Sequence, residues 1–156
     1  MASGRNHDRG ILLFTPIWGL TAIHYASIDI GVIVGLTHFL GGWYLSPDLD
    51  LKSRPFLRWG VLKQLWVPYQ EWIPHRNWKS HAPIVGSLIR LGYLAFWLSP
   101  LLLIPGVYES LPLIGWARAI ACFVGVELSA MNHLILDGLV IPLPKAVKRK
   151  LAGHRD

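Results

Sequence analysis

The sequence predicts an all-α fold: a four-helix integral membrane bundle with a long cytoplasmic loop carrying short interfacial helices, all in a single domain. Three observations lead there. Of 156 residues, 53% are hydrophobic and only 15% charged, whereas soluble domains run nearer about a quarter charged. The apolar residues gather into four segments, 11–28, 30–45, 84–104 and 111–136. Lys and Arg are sorted between those segments instead of being spread evenly.

The first segment follows "MASGRNHDRG", which has no signal-peptide cleavage pattern after it, so the apolar run is expected to stay in the mature protein. Between the first two segments lies "HYASID", where His24 and Asp29 mark a tight turn at one membrane face. A spanning helix needs about 20 residues, so the third and fourth segments are full length and the first two are short. The loop 46–82 contains "WGVLKQLWVPYQEWIPHRNW", in which Trp, Tyr and aliphatics alternate with polar residues. That pattern suits short helices lying along the interface, broken at Pro68 and Pro74, with aromatic rings setting depth. A tail over 142–156 is basic.

Arg5 and Arg9 precede the first segment, six Lys and Arg fall between the second and third, and five follow the fourth. The other two turns have none. This alternation predicts a multi-pass protein with both termini in the cytoplasm. Arg90 and Arg118, inside apolar segments, must snorkel or find partners. The net charge of +6 does not point to nucleic acid, because a nucleic-acid binder carries its basic residues on a polar, soluble chain. The lone Cys122 excludes a disulfide framework and a Cys-based zinc ribbon.

The polar residues with metal-binding chemistry fall at the same predicted cytoplasmic face. His7 and Asp8 come just before the first segment. "SPDLD" follows the second, and in an extended run Asp48 and Asp50 would point the same way; Ser-Pro-Asp is equally a turn signal. "PHRNWKSHAP" leads into the third segment, and its His75 and His81 converge only if the chain bends. "HLILD" closes the fourth, and its spacing of four puts His133 and Asp137 on one helix face. Four His and four Asp exceed what one tetrahedral ion needs and would suit two. Glu127, earlier in the fourth segment, is a candidate to support the ligands or to balance an Arg. His24, His38 and His154 are read as structural or solvated.

At these residues the chain resembles an uncharacterised bacterial family of small metal-binding membrane proteins, related to inner-membrane metal-dependent hydrolases. The stretches that carry the resemblance are "SGRNHDR", "SPDLDLKSRPFLRWG", "IPHRNWKSHAPIVGSLIR" and "ELSAMNHLILD", in that order over nearly the whole chain. The resemblance implies His7, Asp8, Asp48, Asp50, His75, His81, His133 and Asp137 as ligands of one or two divalent ions, and His and carboxylate ligands without Cys admit Zn, Mn or Fe. Arg54, Arg76 and Ser80 are its conspicuous neighbours. It also implies a bacterial inner membrane or an internal membrane such as a thylakoid. "HLILD" matches the end of the membrane phosphatidate-phosphatase pattern, but the other parts of that pattern are missing.

The expected function is a membrane-embedded, metal-dependent hydrolase acting at the cytoplasmic surface on a phosphoester or lipid-linked substrate. Arg54, Arg76 and Lys79 would grip an anionic head group, with Ser80 and Glu127 supporting the ligands. Its partner is then membrane lipid. The alternative is a non-catalytic metal-binding assembly factor or accessory subunit, with a membrane-protein partner or a second copy, using Gly31, Gly35, Gly41 and Gly42 as a lateral contact surface.

Overall fold

The computed structural model describes residues 3–73 and 78–138, apart from the side chains of Trp78 and Lys79. Those residues are helical, with no strand among them. Helix α1 runs Gly4–Tyr25 and α2 runs Ile28–Tyr44. A 3₁₀ turn, Pro47–Asp50, leads to α3 (Arg54–Arg58), then a second 3₁₀ stretch, Gly60–Trp66, and α4 (Val67–Trp72). The short α5 (Trp78–His81) precedes α6 (Val85–Leu98), which continues as a 3₁₀ turn, Ser99–Leu103, before α7 (Val107–Asp137).

Local chemistry sets the ends. The Ser3 and Ser27 hydroxyls accept from the backbone N–H groups of Asn6 and Ile30, so each helix starts on a serine cap. The first cap lies well upstream of the apolar run, which moves His7 and Asp8 into α1 itself. Gly138, with φ 70°, stops α7 directly after Asp137. Pro112 and the non-helical Gly115 kink α7 near its start.

Three stretches are long and apolar enough to cross a membrane: Ile28–Asp50, Val85–Leu103 and Val107–Asp137. Helix α1, whose first turns carry Arg5, Asp8 and Arg9, is not one of them. Helix α2 packs between α1 and α7, and α6 packs mainly on α5 instead of completing a symmetric four-helix bundle. Backbone approaches backbone along α2. A Cβ on Gly31 would lie 2.7 Å from the Gly19 carbonyl oxygen, and one on Gly125 of α7 would lie 2.6 Å from that of Val34. Gly35, Gly41 and Gly42 are buried at the same two contacts, so the glycines of α2 face inward.

The loop forms a cap with its own core. Leu49, Phe56, Trp66, Tyr69 and Ile73 are buried together, and Ile89, Tyr93 and Leu94 of α6 pack against them. Full burial of one such side chain contributes about 1.5–3 kcal/mol. Trp66 and Tyr69 are therefore core residues and not interfacial anchors. Pro68 starts α4 instead of breaking a helix, because the first helical turn has no use for its missing N–H. The expected break at Pro74 and the basic tail lie outside the described residues. Tyr93 donates to the Leu65 carbonyl, Trp59 Nε1 to that of Tyr44 (2.9 Å) and Gln70 to that of Leu49 (3.0 Å), which ties the cap to the helix ends.

Two outcomes follow. Gly125→Ala drives a methyl into backbone and lowers stability by about 1–3 kcal/mol, whereas Gly92→Ala, with nothing within 4 Å of its Cβ, is neutral or stabilising; thermal melts in detergent compare them. Burial pushes the Tyr69 phenol up from 10.0 to about 12, with Arg90 opposing. Its contribution is then complete below pH 10 and lost as pH rises through about 12, so an ultraviolet pH titration should show one tyrosine ionising late, together with unfolding.

Candidate metal centre

Three separate pieces of chain meet beside the start of α1. His7 comes from the second turn of α1, Asp48 from the 3₁₀ turn after α2, and His133 with Asp137 from the last two turns of α7. Ser46 and Pro47 build that turn: the Ser46 hydroxyl accepts from the Asp48 N–H at 3.4 Å, and Pro47 supplies its first residue. A 3₁₀ turn rotates about 120° per residue, so Asp48 and Asp50 diverge. The extended strand on which both would face one cation is not formed.

His7 Nε2 lies 3.2 Å from Asp137 Oδ1, and His133 Nε2 lies 3.4 Å from Asp48 Oδ1 and 3.6 Å from Asp137 Oδ2. The two imidazoles stack with centroids 3.9 Å apart. Ligands about 2.0–2.1 Å from a tetrahedral ion stand about 3.3 Å from one another, and these separations bracket that value. His7, Asp48 and His133 offer ligand atoms all within 4.8 Å of each other.

The donor chemistry fits a cation. Asp48 Oδ1 and His133 Nε2 are buried, yet neither closes a hydrogen bond of good geometry among the described residues. Buried polar atoms rarely go unpaired without an ion or water to satisfy them. The other ring nitrogen of His133, Nδ1, sits 3.3 Å from the Ser46 hydroxyl, an outer contact of the type that orients a ligating imidazole.

The remaining candidates are placed differently. Asp8 turns to arginine: Oδ2 takes Arg54 Nη1 at 2.8 Å and Oδ1 takes Arg58 Nη2 at 2.5 Å. Arg58 is itself held over the Trp43 ring at 3.8 Å and donates to the Trp43 carbonyl at 3.1 Å. Asp50 joins a neighbouring group, where Oδ2 accepts from Ser80 Oγ at 2.8 Å and lies 3.6 Å from His81 Nδ1. The His81 ring is 6.4 Å from that of His133. His75, Arg76 and the side chain of Lys79 lie outside the described residues.

The charged groups inside apolar segments find partners. Arg90 is buried and donates to the Ser80 carbonyl at 2.7 Å and to Ser87 Oγ at 3.1 Å, which steadies the Asp50–Ser80–His81 group. Glu127 Oε1 accepts the Ile84 N–H at 2.8 Å, holding a residue whose φ is 64°. Arg118 sits 3.5 Å from Asp29 with both half exposed. His38 is fully buried between Thr15 Oγ1 and Asn132 Nδ2, each at 2.8 Å.

Sequence reasoning did not single out Ser46, Arg58 or Asn132 for these roles. For Ser46 the signal was present, since a Ser-Pro-Asp turn must place its hydroxyl beside its own aspartate. The partners of Arg58 and Asn132 lie 50 and 94 residues away, beyond any local pattern.

Residues 2–147 match a protein family described as "Uncharacterized metal-binding protein (DUF2227)". The chain belongs to that family. A relative from Aquifex aeolicus (strain VF5), described as "Uncharacterized protein", is 44% identical over 67 residues, covering 42% of this chain and 47% of that protein. The match thus spans about half of that relative's length. No solved structure matches. The family description and the His/Asp geometry meet on one point, a metal site.

Elemental analysis after detergent purification should find a divalent ion in the wild type and none in Asp48→Ala or His133→Ala. Ser46→Ala should weaken binding about 10- to 100-fold, and Asp8→Asn should leave the stoichiometry unchanged.

Proposed function

We propose that the chain is an integral membrane, metal-dependent hydrolase whose site opens at the cytoplasmic surface. The observation that carries this reading is the convergence of His7, Asp48, His133 and Asp137, of which His7 and Asp48 line a groove of about 340 Å³.

Membrane residence is supported by the three long apolar stretches and by what α6 and α7 expose. Phe96, Leu103, Leu113 and Trp116 are 69–86% exposed, a large apolar surface that suits lipid. The sorting of Lys and Arg supports a cap and two termini on the cytoplasmic side of a bacterial inner membrane or a similar internal membrane. The partner is then membrane lipid. Both termini on that side require α1, which packs along α2, to cross as a fourth span beside the three that qualify by length and composition.

His7, Asp48, His133 and Asp137 would hold a divalent ion, Zn, Mn or Fe, leaving His75 for a second ion. Such an ion lowers the pKa of water towards neutrality and polarises the bond to be cleaved. The chain's own residues do the rest. Ser46 orients His133. Asp50 and Ser80 fix His81 through Nδ1, so that Nε2 of His81 can take and return a proton. Arg90 and Glu127 support that group and the start of α6. Arg54, Arg76 and Lys79 hold an anionic substrate. A stoichiometry of two ions would reassign Asp50 and His81 as ligands.

The accessory-subunit alternative gains little from the geometry, because the small residues of α2 that would form its contact face are buried against α1 and α7. Purified protein loaded with Zn²⁺ or Mn²⁺ should hydrolyse a member of a broad phosphoester and ester panel, lose that activity with chelator, and lose it about 100-fold or more in His81→Ala. A loaded protein that leaves the whole panel untouched, and that co-purifies with one fixed membrane partner, would contradict the enzymatic reading.

A further inference from the structure

The groove beside His7 and Asp48 has an unusual wall. Its lining includes Lys52, Arg54 and Asp8 alongside Leu51 and Leu57, where a small-molecule pocket is usually mostly apolar. Asp8 is shared by two guanidiniums, so a single carboxylate faces two positive charges. Arg54 is the more open of the pair, its side chain 50% exposed against 15% for Arg58. Lys52 is exposed and makes no ion pair among the described residues.

These cations are held in register with the metal centre. Ser53, between them, donates to the Asp48 carbonyl at 2.7 Å and accepts from the Phe56 N–H at 3.4 Å, which pins the segment to the turn that carries Asp48. Arg54 crosses the start of α1 where Gly4 leaves room; a Cβ there would lie 2.8 Å from Arg54 Cδ.

We propose that Lys52 and Arg54 form an anion subsite for the phosphate monoester dianion of the substrate, an inference that rests on the metal-centre reading above. Among the residues that line the groove, Asp8 and Asp48 balance Lys52 and Arg54, so a bound divalent ion leaves its two positive charges uncompensated. A phosphate monoester carries about two negative charges at neutral pH, and a diester carries one. The guanidinium of Arg54 matches two phosphate oxygens, and Lys52 adds a point charge. Leu57 at the rim continues into exposed Val61 and Leu62, an apolar shelf on which the rest of a lipid could lie.

The test is equilibrium dialysis of inorganic phosphate against detergent-purified, ion-loaded protein at neutral pH. Phosphate should bind, Lys52→Ala and Arg54→Ala should each weaken it about tenfold, and Lys63→Ala, outside the groove, should not; metal content should stay the same throughout. Displacement by vesicles containing a lipid with a bare phosphate headgroup assigns the monoester to a lipid, and displacement by soluble phenyl phosphate alone assigns it to a free substrate. Ion-loaded protein that binds no phosphate at millimolar concentration, binds it regardless of Lys52 and Arg54, or takes dimethyl phosphate equally well overturns the subsite and leaves the hydrolase reading standing. Protein that takes up no ion overturns that reading and the charge balance with it.

Discussion

The close approach of α2 to both of its neighbours is the constraint on which the rest depends. His7, Asp48 and His133 belong to three different parts of the chain, and each is rigid only relative to its own helix. They fall within ligand distance of one another because Gly19, Gly31 and Gly35 let α1 touch α2, and Gly41 and Gly125 let α7 touch it from the other side. An added methyl at such a contact would push the helices apart by a fraction of the separations seen at the site, and a metal centre tolerates little of that. The glycines thus act on the chemistry from a distance, through backbone spacing.

A second layer of organisation sits above those helices. The cap carries a buried aromatic core, and its hydrogen bonds to the ends of α2 and to α6 hold the Asp48 turn against the His133 end of α7. Arg90 completes this link from below, binding the Ser80 carbonyl and so placing the Asp50–Ser80–His81 group beside the imidazole pair. Ion pairs at this level are local: Asp8 satisfies Arg54 and Arg58, and that triad shapes the groove without joining the ligands. The division of labour follows from charge, since a carboxylate already held by two guanidiniums is a poor donor to a cation.

Much of this was legible in the sequence, and the illegible part has a physical reason. Apolar runs mark the long helices, and the spacing of four in "HLILD" requires His133 and Asp137 to share a face. Helix α1 begins earlier than hydropathy suggests because a cap, not an apolar residue, decides where a helix starts. The choice of partner by Asp8 could not be read, because Arg54 and Arg58 are remote in sequence and the pairing exists only after the cap folds. Alternation of aromatic and polar residues in the loop fits an interfacial helix and a buried cap equally well, and tertiary packing favoured the cap for Trp66 and Tyr69. Glu127 was expected to support the ligands or to balance an arginine, and its charge does act on buried Arg90; the group it hydrogen-bonds is a backbone N–H, which no side-chain pattern reveals.

The central claim is that two stacked imidazoles and two carboxylates from distant parts of the chain share one cation. X-ray absorption at the zinc edge of the detergent-purified, zinc-loaded protein tests it most directly. The account predicts a four-coordinate shell of light atoms at about 2.0–2.2 Å, with the multiple-scattering signature of two imidazoles and no sulfur. A shell of oxygen alone, or one in which imidazole scattering survives replacement of both His7 and His133, would contradict it.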